Sequence, residues 1–467
     1  MSKQLLVVLA GNLIGRVTQD RNRLRFAYEQ AWRTAPHAIP LSLSIPLAAT
    51  EHGHEAIHAF MWGLLPDNEQ VLGRWGQHFH VSASNPFALL SHVGEDCAGA
   101  VQFVLPDRLN DVVSTGDARV VWLTESEVAQ RLRTLSADHS RGRLVRDDGQ
   151  FSLAGAQAKT ALFFQDGRWG IPSGRTPTTH ILKPPIAGLP GHVENEHFCL
   201  SLARELGFTV ASSQVRTFED QQVIVVERYD RYQTATLAAS AASEAALAAA
   251  EAAAGDSSGA ERAASATARS AALSELAKHQ PVLRLHQEDL CQALGLLPTL
   301  KYQNEGGPSP RTIVDLLRTH SSQPQDDIAT FVGALLFNWL IAGTDAHAKN
   351  YSLLLAARGQ VRLAPLYDLG SALPYPDMDL RRLKLAMKLG NSYLIRNLTA
   401  QHVGQLGAAL AIEPGWLLDQ ARDLAARLPA AIRKVTDDVK AAGLAEATMD
   451  RLAEAITTHV ARCTKVL

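Results

Sequence analysis

Three oxygen-bearing side chains between residues 331 and 368 have the types and spacing to serve phosphoryl transfer. The stretch reads FVGALLFNWLIAGTDAHAKNYSLLLAARGQVRLAPLYD. Asp345 stands in a polar loop, Asn350 follows five residues later, and Asp368 ends the strand beyond. A loop carboxylate can orient an attacking hydroxyl. An amide oxygen and a second carboxylate are hard ligands suited to Mg2+ on nucleotide phosphates. Taken singly, an Asp such as Asp345 is more often a cap or an Asx turn. Three such groups at this spacing favour the chemical reading.

The elements that must position them can be read nearby. Residues 331–341 are an apolar run with no Gly or Pro after Gly333, which predicts a helix ending at the loop. Residues 351–355 and 361–366 predict two short strands joined by a turn at Arg358-Gly359-Gln360.

Two further segments carry candidate groups. Ala154, Gly155, Ala156, Gln157, Ala158 and Lys159 precede a predicted strand at 161–164. Small residues let a backbone approach phosphate closely, with successive N–H groups as donors. An ordinary Gly-containing hairpin has the same composition. Lys183 ends a predicted strand at 180–183, where an ammonium aimed into a cleft can pair with phosphate. Glu194 and Glu196 open the next predicted helix, where the helix dipole favours acids in any case. Either could fix Lys183.

These motifs identify a resemblance. Trp339-Leu340, Asp345, His347, Lys349-Asn350 and Tyr367-Asp368 match the WL-x4-D-x-HxKN loop and YD strand end of the HipA kinases. Those are the toxin subunits of HipBA-type toxin–antitoxin modules. Residues 154–160 resemble the family's phosphate loop, with Ala158 where an acidic residue is usual. VERYDR at 226–231 resembles its hinge segment. LSLSIPL, GLLPDN and CAGAVQF resemble its N-terminal subdomain, so the likeness spans nearly the whole chain.

The resemblance implies a bilobal α+β protein-kinase-like fold, related to phosphoinositide-kinase-like kinases. The N-terminal lobe would be β-rich and the C-terminal lobe mostly helical. It implies an N-terminal subdomain at 1–110, a kinase N-lobe with phosphate loop and hinge at 111–232, and a catalytic C-lobe at 281–467. Residues 233–280, rich in Ala and Ser and lacking a large apolar stripe, read as an insertion of two weak helices or disorder.

In this reading ATP and Mg2+ are the cofactors, and Asn350 and Asp368 hold the metal. Asp345 receives the hydroxyl proton, and Lys183, residues 154–159, His347 and Lys349 stabilise phosphate charge. The motif takes Ala348 and Tyr367 with it. Backbone groups of Glu227, Arg228 and Tyr229 would meet the adenine. Ser152 is implied as an autophosphorylation site that silences the enzyme. A HipB-like antitoxin is implied as partner, with operator DNA held mainly through it, and a translation component such as an aminoacyl-tRNA synthetase as substrate. An idle scaffold and co-repressor, or a kinase for a lipid or small molecule, are the competing readings.

The totals are compatible with this. The chain has 467 residues with 46% hydrophobic and 20% charged content, an ordinary globular balance for two or three domains. A net charge of −2 gives no bulk field for non-specific nucleic-acid binding. Cys97, Cys199, Cys291 and Cys463 lie far apart without metal-ligand spacing, and read as buried thiols that fit a cytoplasmic protein. No run approaches the roughly 20 apolar residues of a membrane helix. The N-terminus reads as a strand, a Gly11-Asn12 turn and a second strand. Residues 287–289 are expected to open a helix, and His402 and His459 to lie on helix surfaces.

Overall fold

The alternating apolar residues of 3–28 form the centre of an antiparallel sheet, which Val101–Val104 and the short strand Glu51–His52 complete at its edges. The computed structural model describes residues 3–113, 119–137, 152–253, 258–375 and 377–467. The first sheet runs in the order Glu51–His52, Arg23–Tyr28, Asn12–Asp20, Lys3–Leu9 and Val101–Val104. Its first hairpin turns at Ala10-Gly11, one residue earlier than expected, with φ of 48° and 81°. That left-handed pair suits the twist of a two-residue hairpin. Asn12 is already strand, and its amide donates to the Leu9 and Ala10 carbonyls. Helices His54–Gly63, Glu69–Phe79 and Pro86–Val93 accompany the sheet, with Phe26, Phe60 and Phe103 in the shared core.

The second sheet is antiparallel throughout, in the order Ser213–Phe218, Gln221–Glu227, His180–Lys183, Thr160–Gln165, Arg168–Ser173 and Arg119–Leu123. Helix Glu125–Ala137 packs on one face through Val128, Ala129 and Leu132. Helix His192–Glu205 buries Phe198, Leu200 and Leu202 in the largest core, which it shares with the C-terminal half. Residues 140–143 and 146–149, whose Ser, Arg, Gly and Asp content reads as loop, fall outside the described residues.

The C-terminal half is mainly helical: Pro310–His320, Pro324–Leu340, Ala400–Leu410, Pro414–Ala441 and Glu446–Thr464. A three-stranded sheet, in the order His286–Asp289, Ser352–Ala356 and Gln360–Leu363, brings a strand from before the first of these helices against a hairpin that follows the second. The molecule is thus an α+β, two-lobed kinase-like chain preceded by an N-terminal sheet unit.

Two expectations are corrected. Residues 286–289 are strand, paired to 352–355, because only that register gives their backbone groups partners. The helix starts afterwards, at Leu290, with Asp289 and Gln292 forming a capping box. His459 is buried at 3% exposure, and its ring bonds the Trp339 carbonyl at 3.0 Å.

The described residues 234–253 and 259–279 of the expected insertion are two helices, Thr234–Ala253 and Gly259–His279, lying against each other. Ala238, Ala241, Ala248 and Ala266 are among their buried residues, so small side chains permit close approach. The pair springs from a ribbon of Arg231–Gln233 with Val282–Arg284.

Candidate active site

The long apolar helix that ends at Leu340 delivers the loop that carries Asp345 and Asn350. Its last turn is capped tightly: the Gly343 N–H donates to the Asn338 carbonyl at 2.7 Å. A Cβ on Gly343 would lie 2.2 Å from Asn338 Oδ1, so the turn needs glycine there. The loop then exposes Asp345, whose side chain is 69% accessible, and turns inward at His347. Asn350 Nδ2 donates to the Asp345 carbonyl at 2.7 Å, leaving Asn350 Oδ1 as the free acceptor.

Asp368 reaches the same cleft from the other turn. It adopts a left-handed backbone, φ 53°, which a short polar side chain tolerates. Tyr367 explains how the two turns stay in register. Its hydroxyl donates to the Lys349 carbonyl at 2.7 Å and shares a 2.7 Å hydrogen bond with Ser352 Oγ.

Lys183, 5% exposed, joins the lobes. Its Nζ donates to Glu196 Oε1 at 2.7 Å and also to Asp368 Oδ1. The structure therefore selects Glu196 over Glu194 as the helix partner. Burial opposes ionisation of Asp368, but the Lys183 and Lys159 ammonium groups overcome it and hold the carboxyl below its ordinary range. Burial also opposes the charge on Lys183, and Asp368 and Glu196 reverse that, raising it. Glu196 is raised, chiefly by burial. Asn195, on the same helix, clamps the segment after Asp368. Its amide donates to the Ser371 carbonyl at 2.7 Å and accepts the Ser371 N–H at 3.0 Å.

The small-residue loop curls over this group. Gly155 has φ 104°, and Lys159 Nζ donates to the Ala154 carbonyl at 2.7 Å. Burial pushes the Lys159 ammonium down to about 8. Gln157 donates to the Pro184 carbonyl at 3.1 Å. The loop also leans on the N-terminal unit: the Asp67 N–H donates to the Gly155 carbonyl, and the Ser152 hydroxyl to the Leu64 carbonyl at 2.8 Å. Ser152 is fully buried there.

At the hinge, the N–H groups of Glu227 and Arg228 are engaged by the Ser212 and Thr179 carbonyls, both at 2.9 Å. The Tyr229 N–H has no protein partner among the described residues. Behind the hinge lies a buried ion network that the sequence reading missed. Asp96, from the N-terminal unit, pairs with Arg231 at 2.9 Å, Arg228 at 3.6 Å and Arg284. Burial alone would protonate Asp96, and these guanidinium groups keep it charged well below the usual carboxylate range.

Lys349 has other partners than a phosphate. Its buried Nζ lies 3.0 Å from Asp289 and 3.7 Å from Asp67, and it donates to the Gly63 carbonyl at 3.2 Å. Asp67, Lys301 and Tyr302 were also missed, and all but Tyr302 line the cleft. Lys301 meets Asp67 at 2.9 Å. The cleft has a volume of about 730 Å³ and is lined by residues 153–159, Lys183, Glu196, 226–230, Asp345, His347, Lys349, Asn350, Tyr367 and Asp368.

A lysine paired to a helix glutamate, and a loop Asp and Asn that line one cleft with a second Asp, are the side chains the kinase motifs led one to expect there. The chain belongs to the HipA family of protein serine/threonine kinases. The model of the HipA N-terminal domain matches residues 5–104 and that of the HipA-like C-terminal domain residues 151–443. It is 36% identical over 392 residues to "Putative kinase Y4mE" of Sinorhizobium fredii, covering 84% of this chain and 81% of that one. It is 27% identical over 438 residues to "Serine/threonine-protein kinase toxin HipA" of Shewanella oneidensis, covering 91% and 87%. Among solved structures it is similar to the Shewanella oneidensis HipA, HipB and operator DNA complex, with a TM-score of 0.76 and 25% identity over 99% and 97% of the two chains. No helix among the described residues is long and apolar enough to cross a membrane.

Proposed function

We propose that this kinase transfers the γ-phosphoryl group of ATP to a serine or threonine hydroxyl of a translation component, as the toxin partner of a HipB-like antitoxin. The observation that carries the chemistry is the meeting of Lys183, Glu196 and Asp368 in one cleft with Asp345 and Asn350. Asp345 orients the acceptor hydroxyl and receives its proton. Lys183, Lys159 and the loop N–H groups hold the phosphates in line. Positioning and charge stabilisation provide most of the rate.

Asn350 Oδ1 and the Asp368 carboxylate suit Mg2+, which keeps water and phosphate oxygens around one or two protein ligands. The bound ion would neutralise charge developing on the phosphates. The Tyr229 N–H, with no protein partner among the described residues, is the hinge donor best suited to the adenine edge.

Ser152 fits the role of a self-modified residue in a particular way. Its hydroxyl is buried against the Leu64 carbonyl, where a phosphate dianion would be desolvated and would face a carbonyl dipole. Phosphorylation therefore requires the loop to leave and prevents its return. The Shewanella relative is solved with HipB and operator DNA, and this supports a DNA-binding antitoxin as partner, with DNA held through it. The aminoacyl-tRNA synthetase class of substrate rests on family resemblance.

Asp345→Asn and Asp368→Asn test the mechanism. Each should abolish transfer from Mg-ATP, followed by radiolabel and intact mass, with the melting transition retained. Undiminished transfer by both variants would refute it.

A further inference from the structure

Asp345 is held differently at its two ends. Its backbone carbonyl accepts from Asn350 Nδ2 at 2.7 Å and from the His347 N–H at 2.8 Å. Its side chain stands 69% exposed, and an exposed carboxylate samples several rotamers unless something fixes it. The hydroxyl of Tyr302 supplies that contact, donating to Asp345 Oδ1 at 2.5 Å. Oδ2 makes no hydrogen bond among the described residues.

Tyr302 is itself firmly placed. Its ring meets His347 edge-on, with centroids 5.0 Å apart at 80°. Lys301 Nζ lies 5.6 Å from the ring centroid. The Lys301 carbonyl accepts the Ala348 N–H at 3.1 Å, so the segment is tied to the catalytic loop. The Lys301 ammonium is tied in turn to Asp67 of the N-terminal unit at 2.9 Å. A hydroxyl carried on so braced a ring is a fixed donor.

We infer that Tyr302 is a positioning residue for phosphoryl transfer. It engages Oδ1 of Asp345, holds the carboxylate in one rotamer, and leaves Oδ2 to accept the hydrogen bond of the incoming serine or threonine hydroxyl. This rests on the reading of Asp345 as the group that orients the hydroxyl. It adds that the orientation is set from the 301–305 segment, which the N-terminal unit steadies through Asp67.

Tyr302→Phe removes the hydroxyl and keeps the ring contacts with His347 and Lys301. The readout is total γ-phosphoryl loss from radiolabelled Mg-ATP, counted as label on protein plus inorganic phosphate, across a range of ATP concentrations. The expected result is a fall in kcat of about ten-fold or more, the size of a lost hydrogen bond to a charged group. KM for ATP and the melting temperature stay at wild-type values, because the hydroxyl touches neither nucleotide nor core. A wild-type kcat overturns the inference, and so does a change confined to KM. Asp345→Asn, assayed beside it, separates the two claims. If Asp345→Asn retains full activity, the role of Asp345 falls and takes Tyr302 with it. If Asp345→Asn is inactive while Tyr302→Phe is unimpaired, only the role of Tyr302 falls.

Discussion

Replacing Lys183 with Met puts the central ion cluster to a quantitative test. The ammonium is 5% exposed and serves two carboxylates, Glu196 at 2.7 Å and Asp368. Breaking a buried ion pair by removing one partner costs about 3–5 kcal/mol, because the other charge is left uncompensated. Asp368 is a third exposed and feels Lys159 as a second cation, which places the cost near the lower end, about 3 kcal/mol. A shift of that size lowers the melting temperature by roughly 6–12 °C in a domain of this size. The cost depends on pH, and its sign can be worked out. In the wild type the depressed Asp368 contributes stability that is full above the unfolded carboxylate value of about 4, and is lost as the pH falls below that. In the variant, Glu196 and Asp368 face each other without the lysine, and their folded values rise. The folded state then holds protons that the unfolded state has released, so its stability falls as pH rises above about 4. The difference between wild type and Lys183→Met should accordingly be larger at pH 7.5 than at pH 5.5. Phosphoryl transfer should fall by about 100-fold or more, as when one charge-stabilising donor is removed from an active site. Thermal melts of both proteins at the two pH values, with a radiolabel transfer assay, decide it. An equal difference at both pH values would refute the claim that Lys183 is the charge that keeps Asp368 ionised.

Two other outcomes follow from buried polar groups. Ser152→Ala should eliminate the mass increase produced by Mg-ATP on the purified chain and should cost about 1 kcal/mol, the value of one hydrogen bond whose acceptor stays buried; a mass increase that persists in full places self-phosphorylation elsewhere. Burial pushes the Glu288 carboxyl up to about 8, so the folded protein should lose stability as pH rises from about 4 towards that value. Glu288→Gln keeps an acceptor for the Leu43 N–H, 2.9 Å from Oε1, and should flatten that slope in denaturant titrations across the window; an unchanged slope assigns the titration to another group.

What could be read in the sequence was local. The helix before the catalytic loop announced itself by its apolar run, and the loop by Asp345, His347 and Asn350 within six positions. Lys183 was legible from its place at a strand end. The choice between Glu194 and Glu196 was not, since both suit the first turn of a helix and only the direction of the side chain separates them. Contacts spanning the chain were silent. Lys349 looked like a phosphate-binding cation, yet its partners Gly63 and Asp289 lie 286 and 60 residues away. Asp67 and Lys301 meet across 234 positions, and Asp96 and Arg231 across 135. The strand at 286–289 was mistaken for a helix start because Gln287-Glu288-Asp289 has the composition of one. Its pairing with 352–355 belongs to register, which residue type does not encode.

The helical pair at 234–279 leaves and rejoins the body through adjacent strands, with Gln233 opposite Val282. Neighbouring strands are about 4.8 Å apart, so everything beyond that doorway is a detour whose length the hinge and catalytic loop never feel. Lengthening such an excursion costs only a slowly growing closure entropy. The site is therefore a natural port for grafting a reporter or affinity handle, and a place where related chains can gain or shed residues while the machinery on either side keeps its spacing.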